Sequence, residues 1–140
     1  MKAIKILPYV FSVFLLTACA SSKPINTLNH LSGNSWALAS LLGEGLDMTQ
    51  FPGGIPSLSF LADGTLSGFT GCNNFSGDFS IDDSRLQLDL GAMSKKMCPG
   101  IGERDFIAAL SKVGSLKIEK DKLTLFDGTT ELMSLVPKKN

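Results

Sequence analysis

Cys19, Cys72 and Cys98 are the only thiols of this 140-residue chain, and His30 is its only histidine. A thiol or hydroxyl becomes a working nucleophile when a base stands beside it, and His30 is the one imidazole that could serve. It sits in a polar approach segment, His30-Leu31-Ser32-Gly33-Asn34, where a solvated loop imidazole is the simpler reading. The adjacent carboxylates Asp82 and Asp83 are too few to form a calcium loop, and Ser84 after them completes an ordinary turn composition. No Cys/His cluster has metal-ligand spacing, and no phosphate-binding loop is present. Acids brought together by folding are the one catalytic arrangement that spacing leaves open. The expectation is therefore no catalytic residue, no metal and no cofactor.

The cysteines divide by position. Lys2 and Lys5 precede an apolar run from Ile6 to Leu16, which contains Pro8 and ends at Leu16-Thr17-Ala18-Cys19. A basic start, a short apolar stretch and small residues before a cut site make a secretory signal peptide over residues 1–18. A membrane-spanning helix needs about 20 apolar residues, and this run is too short. The ending resembles the bacterial lipobox, which implies acylation at Cys19 and a lipid anchor in the membrane. Ala20 in place of Asp at the next position implies, by the same resemblance, the outer membrane facing the periplasm. Residues 19–30 then read as a flexible tether, small and polar in Ala20-Ser21-Ser22-Lys23-Pro24, with residues 31–137 as one folded domain. Ten flexible residues span about 17–19 Å, so the domain would sit close to the membrane. In that oxidising space Cys72 and Cys98 form an even pair, which favours a disulfide over two free thiols.

Acidic and basic side chains balance at 13 each in the full chain, and Lys138-Lys139 is a pair rather than a stripe. Nucleic-acid binding is disfavoured on that ground.

Cys72 lies in the stretch around which the rest is organised, Gly68-Phe69-Thr70-Gly71-Cys72-Asn73-Asn74-Phe75-Ser76-Gly77-Asp78-Phe79. Its glycines and asparagines permit turns, whereas its three phenylalanines have large apolar areas to bury. The segment reads as a tight, buried corner between two strands. Before it, apolar groups near-alternate over Trp36–Leu41 and alternate again at Leu58 and Phe60; Asp63-Gly64 is a hairpin turn that returns through Leu66. After it, strands are expected at Asp78–Ile81 and at Arg85–Leu90, where Leu86, Leu88 and Leu90 share a face. The stretch from Met93 to Pro99 is ambiguous. Phe106, Ile107, Leu110 and Val113 recur at three- and four-residue spacing, which predicts a helix over 102–113, with Gly114 as its C-terminal cap. Strands resume at Leu116–Glu119, Leu123–Phe126 and Glu131–Val136, the last pair joined at Asp127-Gly128. The fold class is mostly β with one helix (α+β), a small partly open antiparallel β-barrel of about 7–8 short strands.

These residues carry a resemblance. Trp36-x-Leu38, Pro56-x-Leu58-x-Phe60 and Asp63-Gly64-x-Leu66-x-Gly68 lead into Gly71-Cys72-Asn73-x-Phe75-x-Gly77, followed by Met97-Cys98, the Phe106 helix and Leu123-Thr124-Leu125 before Asp127-Gly128. The pattern resembles the META domain family, whose bacterial members include heat-inducible, HslJ-like envelope lipoproteins. The likeness runs from Leu31 to Val136; where the family often has Tyr, Phe79 keeps the ring and loses the hydroxyl. It implies a β-rich fold with one helix, an envelope location and an association with stress tolerance, and it implies no enzymatic activity or cofactor.

The functional expectation is a non-catalytic envelope lipoprotein that binds or stabilises envelope proteins, with the stress-related role that the resemblance implies. Gly71, Asn73 and Asn74 form a candidate partner-binding loop, although the better reading of the two amides is structural, as groups that satisfy local backbone at a bend. The alternatives are an inhibitor of an exported enzyme such as a lysozyme, or a small-ligand carrier. The second needs an empty barrel, whereas inward Leu and Phe predict a packed one.

Overall fold

The computed structural model describes residues 26–139, so the expected signal peptide, Cys19 and most of the expected tether lie outside the described residues. Nine antiparallel strands follow one another: β1 (Ser35–Leu41), β2 (Glu44–Gly45), β3 (Ser57–Phe60), β4 (Thr65–Phe69), β5 (Asn74–Asp82), β6 (Arg85–Met93), β7 (Ser115–Glu119), β8 (Lys122–Asp127) and β9 (Thr130–Pro137). From β3 to β9 each strand pairs with the next in sequence. β1 lies between β3 and β9, so the sheet closes on itself as a ring with the two-residue β2 appended to β1. Closure removes the exposed edges that a row of short strands would otherwise present. The seam is narrow at one place, where β6 and β7 meet at Arg85 opposite Ser115. The expected mostly-β class holds, with closure supplied by pairing between the first and last long strands.

Period-2 patterning positions the core as expected. Trp36, Leu58, Phe60, Leu66, Leu86, Leu123, Leu125 and Leu135 are each at most 1% exposed and fill the interior. Phe79 meets Phe60 edge-to-face at 5.1 Å between ring centroids, a geometry that suits the ring quadrupoles. Turns form where composition placed them. The two-residue loop after Asp82 puts Asp83 at φ 59°, and Gly64 and Gly128 both take positive φ.

Four expectations are revised. The chain is already helical at Thr27, because α1 (Thr27–Ser32) sets Leu28 and Leu31 on the core and Leu31 is wholly buried. Its carbonyl accepts the Trp36 Nε1–H at 2.9 Å, and six residues are too few for a readable helical period. The corner is also shorter than Gly68–Phe79. β4 ends at Phe69 and β5 begins at Asn74, so Thr70–Asn73 alone makes the bend and Gly77 and Phe79 lie in strand. The ambiguous stretch opens as strand, since β6 runs through Met93. Finally, α2 (Gly102–Leu110) ends earlier than the apolar spacing predicts. Gly114 is not its cap: its N–H bonds Phe126 of β8 and its carbonyl takes the Leu86 N–H of β6, so the glycine belongs to the strand seam.

The ring has two ends. α1 lies at one, near the start of β1 and the β5–β6 turn. The Thr70–Asn73 bend, a 3-10 turn at Met48–Gln50 and the first turn of α2 gather at the other. From there α2 packs on β9, and Leu132 through Leu135 are consecutively buried.

Candidate functional site

The Thr70–Asn73 bend is built by its own residues. Thr70 N–H donates to the Asn73 carbonyl at 2.8 Å, and the Asn73 N–H donates back to Thr70 Oγ1 at 2.8 Å. Gly71 turns the chain at φ +91°, and a Cβ there would strike the ring of Phe51. Glycine is required for both reasons.

Around this bend three distant segments converge. Cys72 and Cys98 form a disulfide with Cα atoms 6.0 Å apart, tying residues 94–101 to the corner. Asn73 is 4% exposed, and its carboxamide is fully engaged. Its Oδ1 accepts from Lys96 N–H at 2.6 Å and Ser94 Oγ at 2.9 Å; its Nδ2 donates to the Lys96 carbonyl at 3.0 Å and to Glu103 Oε1 at 2.8 Å. The Thr70 hydroxyl donates to the same Glu103 oxygen. A buried amide with every donor and acceptor matched rigidifies a site, since one lost partner would leave a polar group stranded. The cluster is a structural knot whose members bond one another.

Sequence reasoning placed Gly71, Asn73 and Asn74 together as a presented loop. The structure separates them: Gly71 and Asn73 are buried, and Asn74 alone is exposed, as the first residue of β5. The pairing of Cys72 with Cys98 is as expected from their even number. His30 is exposed on α1 at the other end of the ring, beside a surface depression that Asp83 and Lys120 also line. Glu103, Thr70, Ser94 and Lys96 were not singled out as site residues. Glu103 stands in the first turn of α2, where any acid is favoured, and no local pattern joins it to an amide thirty residues earlier. Buried Leu, Phe and Trp side chains pack the interior of the ring.

Against the knot lies a groove of about 240 Å³, between the β1–β2 hairpin and the start of α2. Phe51, which backs onto Gly71, forms part of its wall with Leu41 and Leu46. Leu42 and Ile101 also line it, yet are 56% and 50% exposed. Glu44, Asp47 and Asp105 are the charged residues of the lining, with Gln50 beside them. Asp47 caps the 3-10 turn: its Oδ1 accepts the Thr49 hydroxyl at 2.7 Å and the Thr49 N–H at 2.9 Å, which holds its carboxyl below the usual carboxylate range. Among the described residues no three His, Cys, Asp or Glu side chains gather as a metal site.

No curated protein matches the sequence. Solved structures do share the architecture. A protein determined by NMR is 23% identical, with a TM-score of 0.61 over 78% of this chain and 93% of the other. A crystal structure of a DUF4847 family protein from Bacteroides vulgatus is 15% identical, with a TM-score of 0.64 over 81% of this chain and 99% of the other. An NMR structure of a protein from Burkholderia xenovorans is 16% identical, with a TM-score of 0.61 over 81% and 88%. Likeness at these identities concerns the fold. The family follows from the sequence, whose residues 29–140 match the model of the META domain: the chain belongs to the META domain family.

Proposed function

We propose that this protein is a non-catalytic, lipid-anchored module of the bacterial cell envelope that binds or stabilises envelope proteins. The observation that carries the reading is the closed bonding of the corner. Cys72 is held in a disulfide, and Asn73, Thr70 and Glu103 bond one another, so the corner supports a scaffold. Scaffolds of this kind display function in the loops beside them. The anchor is supported by the placement of Cys19 after the apolar run, and the stress association by the family resemblance.

The test is replacement of Cys19 by Ala, followed by processing and fractionation, with chemical crosslinking of the native protein in its own envelope. The expected result is an unprocessed or soluble variant and wild-type crosslinks to envelope proteins that the variant loses. Normal processing with unchanged membrane fractionation would overturn the anchor. Hydrolysis of an envelope substrate by the purified protein, abolished by one substitution, would overturn the non-catalytic role.

A further inference from the structure

We propose that the groove between the β1–β2 hairpin and the start of α2 docks an extended cationic segment of a partner protein through one or two large apolar side chains. This rests on the binding role proposed above and assigns it a place and a chemistry.

Two observations select the occupant. The first is shape and polarity. The groove has an apolar wall in Leu41, Leu46 and Phe51, and apolar lips in Leu42 and Ile101 that stay half exposed. Its volume of about 240 Å³ suits side-chain anchors rather than a cofactor, whose sites run from about 300 to 1,000 Å³. The second is charge. Glu44, Asp47 and Asp105 line the groove, and no lysine or arginine does. Arg104 pairs with Asp105 at 3.4 Å, which leaves Glu44 and Asp47 to carry the negative field. Asp47 is held ionised by Thr49.

That field decides among occupants. An anionic lipid surface would be repelled. A second copy docked groove to groove would set carboxylates against carboxylates, because a two-fold interface meets itself. The cationic stretch of this chain outside the described residues nearest the domain, Lys23-Pro24-Ile25, joins it at α1. Lys23 reaches at most about 10 Å beyond Asn26, whereas β1 alone separates the two ends of the ring by about 20 Å. An apolar residue flanked by lysine or arginine on a separate chain satisfies both wall and rim.

The experiment uses the full chain in nanodiscs of neutral phosphatidylcholine and a fluorescein-labelled peptide of alternating lysine with leucine and phenylalanine, read by anisotropy. A matched peptide with glutamate for lysine is the control. Expected are saturable binding of the cationic peptide, no binding of the acidic one, and at least tenfold weakening by Ile101→Ser and by Glu44→Lys, with melting temperatures unchanged. Equal binding of both peptides, or equal binding by wild type and variants, overturns the assignment. So does a dimer, or adhesion to anionic vesicles, that Ile101→Ser abolishes, since another occupant then holds the groove. A failed titration with Cys19-dependent envelope crosslinks intact overturns the groove and spares the binding role; absence of those crosslinks from the wild-type protein overturns the role itself.

Discussion

Asn73 pairs with the backbone of Lys96 in both directions, its Oδ1 accepting the Lys96 N–H at 2.6 Å and its Nδ2 donating to the Lys96 carbonyl at 3.0 Å. The carboxamide thus stands in for a neighbouring strand where β6 has ended at Met93. A side chain with one acceptor and one donor in a plane is what such pairing needs.

Replacing Asn73 by Ala therefore leaves the Lys96 N–H and carbonyl without their side-chain partner and removes one of the two donors to the Glu103 oxygen, and is expected to destabilise by about 2 kcal/mol. Asn74→Ala, at the exposed neighbour, is expected to stay within about 0.5 kcal/mol. Urea midpoints of the two variants check this, and equal midpoints would remove Asn73 from the knot.

The Cys72–Cys98 disulfide spans a sequence separation of 26 and by chain entropy stabilises by at most about 3.5 kcal/mol. It holds the same segment as the Asn73–Lys96 pairing, so the two should couple. A double-mutant cycle between Asn73→Ala and Cys72→Ala/Cys98→Ala is expected to depart from additivity by about 0.5 kcal/mol or more. Additive losses would show that the segment is held at two independent points.

Gly77 lies against Gly91 at the bulge where β5 and β6 shift register, and a Cβ on it would run into the Asp89 carbonyl and the Gly91 nitrogen. Gly77→Ala is expected to cost about 2 kcal/mol or more by forced backbone movement. Gly114→Ala meets nothing within 4 Å and should stay within about 0.5 kcal/mol, as measured by denaturant unfolding.

The Asp47 carboxyl is depressed first by the Thr49 hydroxyl and then by the Thr49 N–H. A depressed carboxylate stabilises the fold above its unfolded pKa, and that contribution is lost as pH falls through the folded value. Carboxyl NMR titration should therefore place Asp47 below an unstructured reference, and Thr49→Val should move it upward. A midpoint at or above the reference would show that Asp47 does not cap the turn.

What the sequence determined by itself is local. Leu86, Leu88 and Leu90 read as one face of a strand, Asp127-Gly128 as a hairpin, and Phe106 with Leu110 as the buried face of a helix, because alternation and helical spacing are written in neighbouring residues. The even count of Cys72 and Cys98 announced their bond, and Gly71-Cys72-Asn73 pointed to the family. Tertiary structure decided whatever joins residues far apart in the chain. Closure depends on β1 finding β9, with Trp36 opposite Pro137, and no local pattern names that partner. α1 exists because Leu28 and Leu31 have a core to reach, since six residues are too few to hold a helix alone. Asn73 became buried structure instead of an exposed contact because Lys96 and Glu103 arrive from twenty-three and thirty residues away. The acidic rim of the groove is assembled from the β1–β2 hairpin, the 3-10 turn and α2, so its charge exists only once those segments share one end of the ring.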